Sequence, residues 1–443
     1  MKKKLPLQLF LIVLFFFMNA CGSLESGYYP TGLNNFFNSE GKLFKEYILE
    51  TQDMIRKARR KAKYQLDMDF EKTVKCNSPF ECRPKGKCSF SDNYEYFGKR
   101  EHTRNGILLV HGLSDSPYLM RDIAFAFKDR GFLVRSLLLP GHGTVPGDLL
   151  EVNKEAWKNT VRYGLKSLNN KVDNLYVGGF STGGAVEIYL WLNGELMLDW
   201  KKEIKGMILL SPAVKISKMA RLIPLYKFLG KTFPVFNYIG GLENDVDTVK
   251  YESFAANAGL EILRLTDEIS FLSKINQDKR MPIFLAMSEQ DATINSEANL
   301  DFFKRHADPE KSVLVYYAKE KKRGKKLQGI NNSILDYRIV SLLGFPNIIS
   351  FSHVALPFSI DNRHYGLNGE YKHCLYYKND ERIKCRIAIQ ANVIYGEKDN
   401  VQKHKLKKEG KFLRRLTFNP DFKNMIDKLF VFVNKITPLE DTL

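Results

Sequence analysis

The stretch GGFSTGGA, residues 178–185, decides the fold. It follows the apolar residues Leu175, Tyr176 and Val177 and precedes a segment of helical spacing, so a single serine stands where a buried strand turns into a helix. Gly179-Phe180-Ser181-Thr182-Gly183 has the form G-x-S-x-G. In that form the serine takes strained backbone angles and its small neighbours let strand and helix approach closely. The hydroxyl is thereby lifted to the carboxyl edge of the sheet, beside a helix N-terminus that favours developing negative charge.

Outward from this turn the chain alternates. Strands are expected over 107–110, 132–139, 175–179, 207–210, 282–287 and 313–317, and helices over 120–128, 154–168, 185–192 and 421–435. Continuous apolar strands joined by helices imply a mostly parallel, doubly wound α/β sheet covered on both faces. Between 213 and 281 the alternation lapses into prolines and aromatics among scattered helical stretches, the composition of an inserted cap. A second insertion is expected over about 357–384.

A serine alcohol needs a base to take its proton, and the base needs an acid to hold its tautomer. In this arrangement the chain order is Ser, then acid, then His. His353, after the apolar Ile348 and Ile349, is the candidate base; His306 falls in an expected helix, too early in the chain. Asp291, just past the strand 282–287, is the candidate acid, with Glu289 its near rival. Tyr395-Gly396-Glu397-Lys398-Asp399 imitates the same strand-to-acid pattern but comes after His353. The amides of Leu113, which follows His111-Gly112, and of Thr182 are the candidate oxyanion donors. His111 itself reads as a brace for that turn.

The N-terminus reads Met1, Lys2, Lys3, Lys4, then an apolar run over 9–18. It is too short to span hydrocarbon, which takes about 20 residues, and fits a cleaved export signal over 1–20. Met18-Asn19-Ala20-Cys21 resembles a bacterial lipobox, which implies lipidation of Cys21 and a protein anchored at the bacterial cell envelope; an ordinary cleaved signal would leave it secreted. Gly22 rather than Asp after Cys21 is compatible with outer-membrane sorting. Residues 21–93 are expected to form a tether, a helix over 42–66 packed on the main domain, and a loop bearing Cys76, Cys82 and Cys88; the main domain then runs over 94–443. Export permits disulfides. Cys374 and Cys385 are the simplest local pair, the other three allow several connectivities, and their spacing matches no familiar zinc pattern.

The chain carries 68 Lys and Arg against 50 Asp and Glu, a net +18. No zinc-finger spacing, aromatic RNA-binding strand or recognition helix accompanies that charge, so a nucleic-acid partner is not expected. An anionic membrane surface is the more economical partner.

His111-Gly112, Pro140-Gly141-His142-Gly143, Gly179-Phe180-Ser181-Thr182-Gly183, Asp291 and His353, in that order, resemble the serine hydrolases of the α/β-hydrolase superfamily near the monoacylglycerol lipase and carboxylesterase branch. The stretches 352–358 and 415–422 further resemble a bacterial group of exported hydrolases. The resemblance covers roughly 106–435. It implies an α/β-hydrolase fold with an inserted cap and N-terminal extension, no metal or cofactor, and hydrolysis of an acyl ester or lipid through acylation of Ser181. The cap residues Ile223, Leu225, Phe233, Phe236 and Tyr238, with Lys218, Arg221, Lys227 and Lys231, suit an acyl chain near anionic headgroups or ordinary packing. The long gap from Asp291 to His353 departs from compact members. Two other readings keep the fold: a serine aminopeptidase, and an inactive envelope lipoprotein that serves as a binding module.

Overall fold

The computed structural model describes residues 24–439 apart from 34–40, 68, 85, 87, 90–101, 197–203, 217–222, 240–241, 243–245, 320–324 and 398. The export signal, Cys21, much of the tether, the start of the main domain near 94, Lys218, Arg221 and most of the basic loop 319–326 therefore lie outside the described residues.

Eight strands form one sheet: β1 (Phe80–Cys82), β2 (Thr103–Val110), β3 (Phe132–Leu137), β4 (Val172–Phe180), β5 (Ile204–Leu210), β8 (Ile283–Ser288), β9 (Val313–Ala318) and β10 (Leu335–Ile339). Their order is β1-β3-β2-β4-β5-β8-β9-β10, and every pairing is parallel except that of β1 with β3. Alternation along the strands splits the interior in two. Leu108, Val110, Val177 and Leu209 face one core, while Ile107, Leu109, Tyr176 and Ile208 face the other. Burial on both faces is what near-continuous apolar strands require.

Among the described residues two helices precede the sheet, α1 (Phe44–Lys61), of 18 residues, and α2 (Phe70–Asn77), of 8. α1 packs on the main domain: Tyr47 donates to the Leu138 carbonyl at 2.9 Å and Arg59 to that of Gly143 at 3.1 Å. It ends before the expected 66 because Lys63 and Gln65 take positive φ, 51° and 48°, which turns the chain and leaves Leu66 exposed. The main-domain helices are α3 (Arg121–Asp129), α4 (Lys154–Leu168), α5 (Thr182–Leu192), α6 (Ile223–Gly230), α7 (Ala256–Ile275) and α8 (Ser296–His306). The remaining three are α9 (Asn379–Ile387), α10 (Asn400–Lys408) and α11 (Phe422–Ile436). The expected cap span holds α6, the short pair β6 (Tyr238–Ile239) and β7 (Phe254–Ala255), and α7. Buried Ala258, Ile262, Leu265 and Ile269 of α7 join the same core as Val186, Ile188 and Leu190 of α5.

After β10 the chain leaves the sheet. It forms a small parallel pair, β11 (Val393–Gly396) with β12 (Phe412–Arg415), on which α9 and α10 sit. Two disulfides close local loops, Cys82 with Cys88 and Cys374 with Cys385, and Cys76 is free. No helix among the described residues is long and apolar enough to cross a membrane.

Candidate active site

Ser181 stands between β4 and α5 with φ 50° and ψ −112°, a conformation a non-glycine residue holds only when its surroundings force it. Three backbone hydrogen bonds do so. Its N–H donates to Leu210 at 3.1 Å, and its carbonyl accepts from Ala185 at 3.0 Å and Ala213 at 2.9 Å. The glycines are needed for clearance: a Cβ at 183 would stand 2.2 Å from the Val110 carbonyl oxygen, and one at 179 would stand 2.3 Å from the Gly184 nitrogen. Gly183 and Gly184 do not delay the helix to 185 as expected; α5 begins at Thr182, directly behind the serine.

Asp291 and His353, 62 residues apart, are in direct contact. His353 Nδ1 lies 2.6 Å from Asp291 Oδ2, with both side chains almost fully buried. The other carboxylate oxygen accepts from the N–H groups of Thr293 at 2.8 Å and Ile294 at 3.0 Å. Burial pushes the Asp291 carboxyl up, but His353 and these two donors outweigh it and hold the group below its usual 3.8. The His353 ring packs 4.8 Å, centroid to centroid, from that of Phe180, the residue before Ser181. Glu289 instead accepts from the backbone of Lys319. His306 is spent on Ser273 and the Lys279 carbonyl, at 2.7 and 2.8 Å.

The loop after β2 meets the start of α5, since a Cβ at 183 would also stand 2.7 Å from the His111 carbonyl. Leu113 and Thr182 are thus on adjoining turns. A Cβ at 112 would meet Asp115 Oδ2 at 2.6 Å and the Phe180 ring at 2.8 Å, so glycine is required there. His111 accepts the Leu139 N–H on Nε2 at 3.1 Å and contacts the Gly112 carbonyl through Nδ1 at 2.8 Å, which braces the turn. Desolvation holds His111 well below the usual histidine range.

Several further residues, not among the site candidates read from sequence, brace the site. Lys250 pairs with Asp115, and Tyr251 N–H donates to the Ser114 carbonyl at 2.8 Å, pinning the cap span to the loop after β2. Glu397 Oε2 accepts the backbone N–H of His353 at 3.1 Å. Arg415 bonds Glu397 at 3.2 Å and Thr293 Oγ1 at 3.1 Å. The imitating strand-to-acid string therefore does put a carboxylate, Glu397, beside the histidine, but on its backbone rather than its ring. Of the cap residues expected near an acyl chain, Ile223 and Tyr238 are buried, and Tyr238 donates to the Tyr28 carbonyl at 2.8 Å. Leu225 is exposed.

A cavity of about 1050 Å³ between α2, α3 and the 359–386 segment, walled by Lys72, Tyr118, Arg121 and Tyr371, includes none of Ser181, Asp291 or His353. The site is defined by the contacts above, not by that cavity. A second cavity of about 20 Å³, bounded by Lys250, Val354, His373 and Arg415, is about the size of one water molecule and likewise includes none of the three.

The strand order, the strained serine turn and its glycines define an α/β-hydrolase fold. Residues 101–319 match the family model described as Hydrolase_4, serine aminopeptidase, S33. Over 115 residues, 26% of this chain, the sequence is 31% identical to the thermostable monoacylglycerol lipase of Bacillus sp. (strain H-257). The chain spans 43% of that relative's length. Among solved structures, the monoacylglycerol lipase of Paleococcus ferrophilus is similar at TM-score 0.39 and 20% identity, over 49% of this chain and 86% of that one. A soluble variant of the Saccharomyces cerevisiae monoglyceride lipase, in complex with a substrate analogue, is similar at TM-score 0.39 and 15% identity, over 54% and 82%.

Proposed function

We propose that the protein hydrolyses carboxylic esters, of lipids or other acyl compounds, with Ser181 as nucleophile, His353 as base and Asp291 as its orienting acid. The Ser181 hydroxyl attacks the ester carbonyl while His353 Nε2 takes its proton; the oxyanion is met by the N–H groups of Leu113 and Thr182. Collapse breaks the ester bond, and His353 returns the proton to the departing alcohol. Water, deprotonated by His353, then attacks the acyl-enzyme and releases the acid and free Ser181. The observation that carries this reading is the 2.6 Å contact of His353 Nδ1 with Asp291, on a ring packed against the residue preceding Ser181.

The family name favours a second reading, cleavage of peptides from an N-terminus, which needs a carboxylate to hold the substrate ammonium. Asp247 and Glu252 lie in the cap span but are engaged. Asp247 accepts from His364 at 2.9 Å and Tyr365 at 2.5 Å, and Glu252 accepts from Tyr371. That leaves ester hydrolysis the stronger reading. A panel of acyl esters of graded length beside aminoacyl amides separates the two: ester turnover that Ser181→Ala abolishes is expected, and turnover of amides alone would reverse the order. The same proposal includes export and lipidation at Cys21, tested by metabolic labelling with a palmitate analogue that Cys21→Ser should abolish.

A further inference from the structure

The C-terminal insertion carries an apolar ridge that no other part of the described chain covers. α9 is held from one side. Cys385 is fully buried and bonded to Cys374, and the Arg414 guanidinium donates to the carbonyls of Cys385, Arg386 and Ala388 at 2.5, 3.0 and 2.9 Å. On the other side Ile383 and Ile387, four residues apart and so on one helix face, are 58% and 75% exposed. Ile389, just past the helix, is 67% exposed. Three isoleucines held out on a disulfide-closed support contribute little to folding, because they bury so little surface.

Their surroundings are basic. Residues 378–411 hold ten Lys and Arg against five Asp and Glu. Lys378, just before α9, and Lys384 on it are exposed, as are Lys405, Lys407 and Lys408 on α10. The two helices are tied by the ion pair of Glu381 with Lys407.

We propose that this ridge docks the protein on an anionic lipid surface, with Ile383, Ile387 and Ile389 entering the interface and the flanking lysines meeting phosphate headgroups. Isoleucines rimmed by long cationic side chains match an interfacial segment: the apolar groups enter the acyl boundary while the ammonium groups stay in water. Each lysine near such a surface strengthens binding roughly fivefold. A second copy of the chain is disfavoured as occupant, since it would set one basic surface, within a net charge of +18, against another. The inference does not depend on the ester-hydrolase reading.

The experiment uses the full chain with Ile387→Trp, read as a difference spectrum against the parent, whose Trp157 and Trp191 are buried. A reporter at 387 senses its own surroundings even if the N-terminus also holds the protein to the vesicle. With phosphatidylcholine vesicles containing phosphatidylglycerol, the added tryptophan should shift to the blue and be quenched by brominated acyl chains. Both effects should be lost with pure phosphatidylcholine at high salt. Replacing Ile383 and Ile389 with serine in that background should weaken the response on the order of tenfold per residue, while hydrolysis of a soluble ester stays unchanged. An unshifted emission while the protein co-sediments with the vesicles would overturn the proposal. So would an equal shift on adding heparin, which would make a soluble polyanion the partner.

Discussion

Glu397 receives the backbone N–H of His353 at 3.1 Å from 44 residues further along the chain. The same carboxylate is ion-paired with Arg415, Nε to Oε1 3.0 Å, and Arg415 reaches Thr293 on the turn that holds Asp291. One guanidinium thus ties the segment carrying the candidate base to the segment carrying the candidate acid. Glu397→Ala should lower kcat by about 10- to 100-fold with little change in KM, because misplacing a reacting group costs rate rather than affinity. Glu397→Gln keeps an acceptor for the N–H and should recover part of the loss. Steady-state kinetics on a soluble ester check both, and equal losses in the two variants would point to the ion pair alone.

Asp291→Asn should leave the fold intact and reduce kcat on the order of 10³- to 10⁴-fold, since an amide cannot hold the same imidazole tautomer or stabilise its charged form. Melting temperature and ester kinetics on the same preparation test this. Normal turnover with a neutral residue at 291 would remove it from the mechanism.

His142 is buried, and desolvation outweighs its contacts with the Pro140 and Leu139 carbonyls, lowering it from 6.5 to about 4. The native state holds this ring neutral, whereas the unfolded chain binds a proton below 6.5. Stability is therefore intact above pH 6.5 and falls as pH drops toward 4, by about 3 kcal/mol from this group. Urea titrations between pH 7 and 4 should show the decline. His142→Gln, which does not titrate, should make the decline shallower, with the part due to buried His111 remaining.

The loop closed by Cys374 and Cys385 supports the strand pair that ends in Glu397 and Arg415. Replacing both cysteines with alanine should destabilise the protein by roughly 2–3 kcal/mol and, by loosening Glu397, lower kcat as well. Chemical denaturation and ester kinetics of the double variant measure the two effects separately.

Much of the central sheet was legible because both faces of β2, β4, β5, β8 and β9 are buried, so each strand reads as a continuous apolar run. β10 was not. Leu335–Ile339 sits at the sheet edge, half-buried throughout and charged at Asp336 and Arg338, so no apolar run announces it. It occupies part of the long gap between Asp291 and His353. β1 was missed for a different reason: it is three residues long inside the cysteine loop, and its buried Glu81 is paired with both Arg135 and Arg83. Ser181 was legible through its glycines, and Asp291 through its place after a strand. Glu397 lies in the 395–399 string that imitates a strand-to-acid turn and Arg415 opens the stretch 415–422, but for them, as for Lys250, local spacing does not say which distant loop each touches.

The central claim, that Ser181 is an activated nucleophile, is tested most directly by reaction with a fluorophosphonate probe followed by peptide mapping. Modification of Ser181 in the parent, and none in His353→Ala under the same conditions, is the predicted result. A parent protein that stays unmodified at Ser181, or that is modified there equally with and without His353, would contradict it.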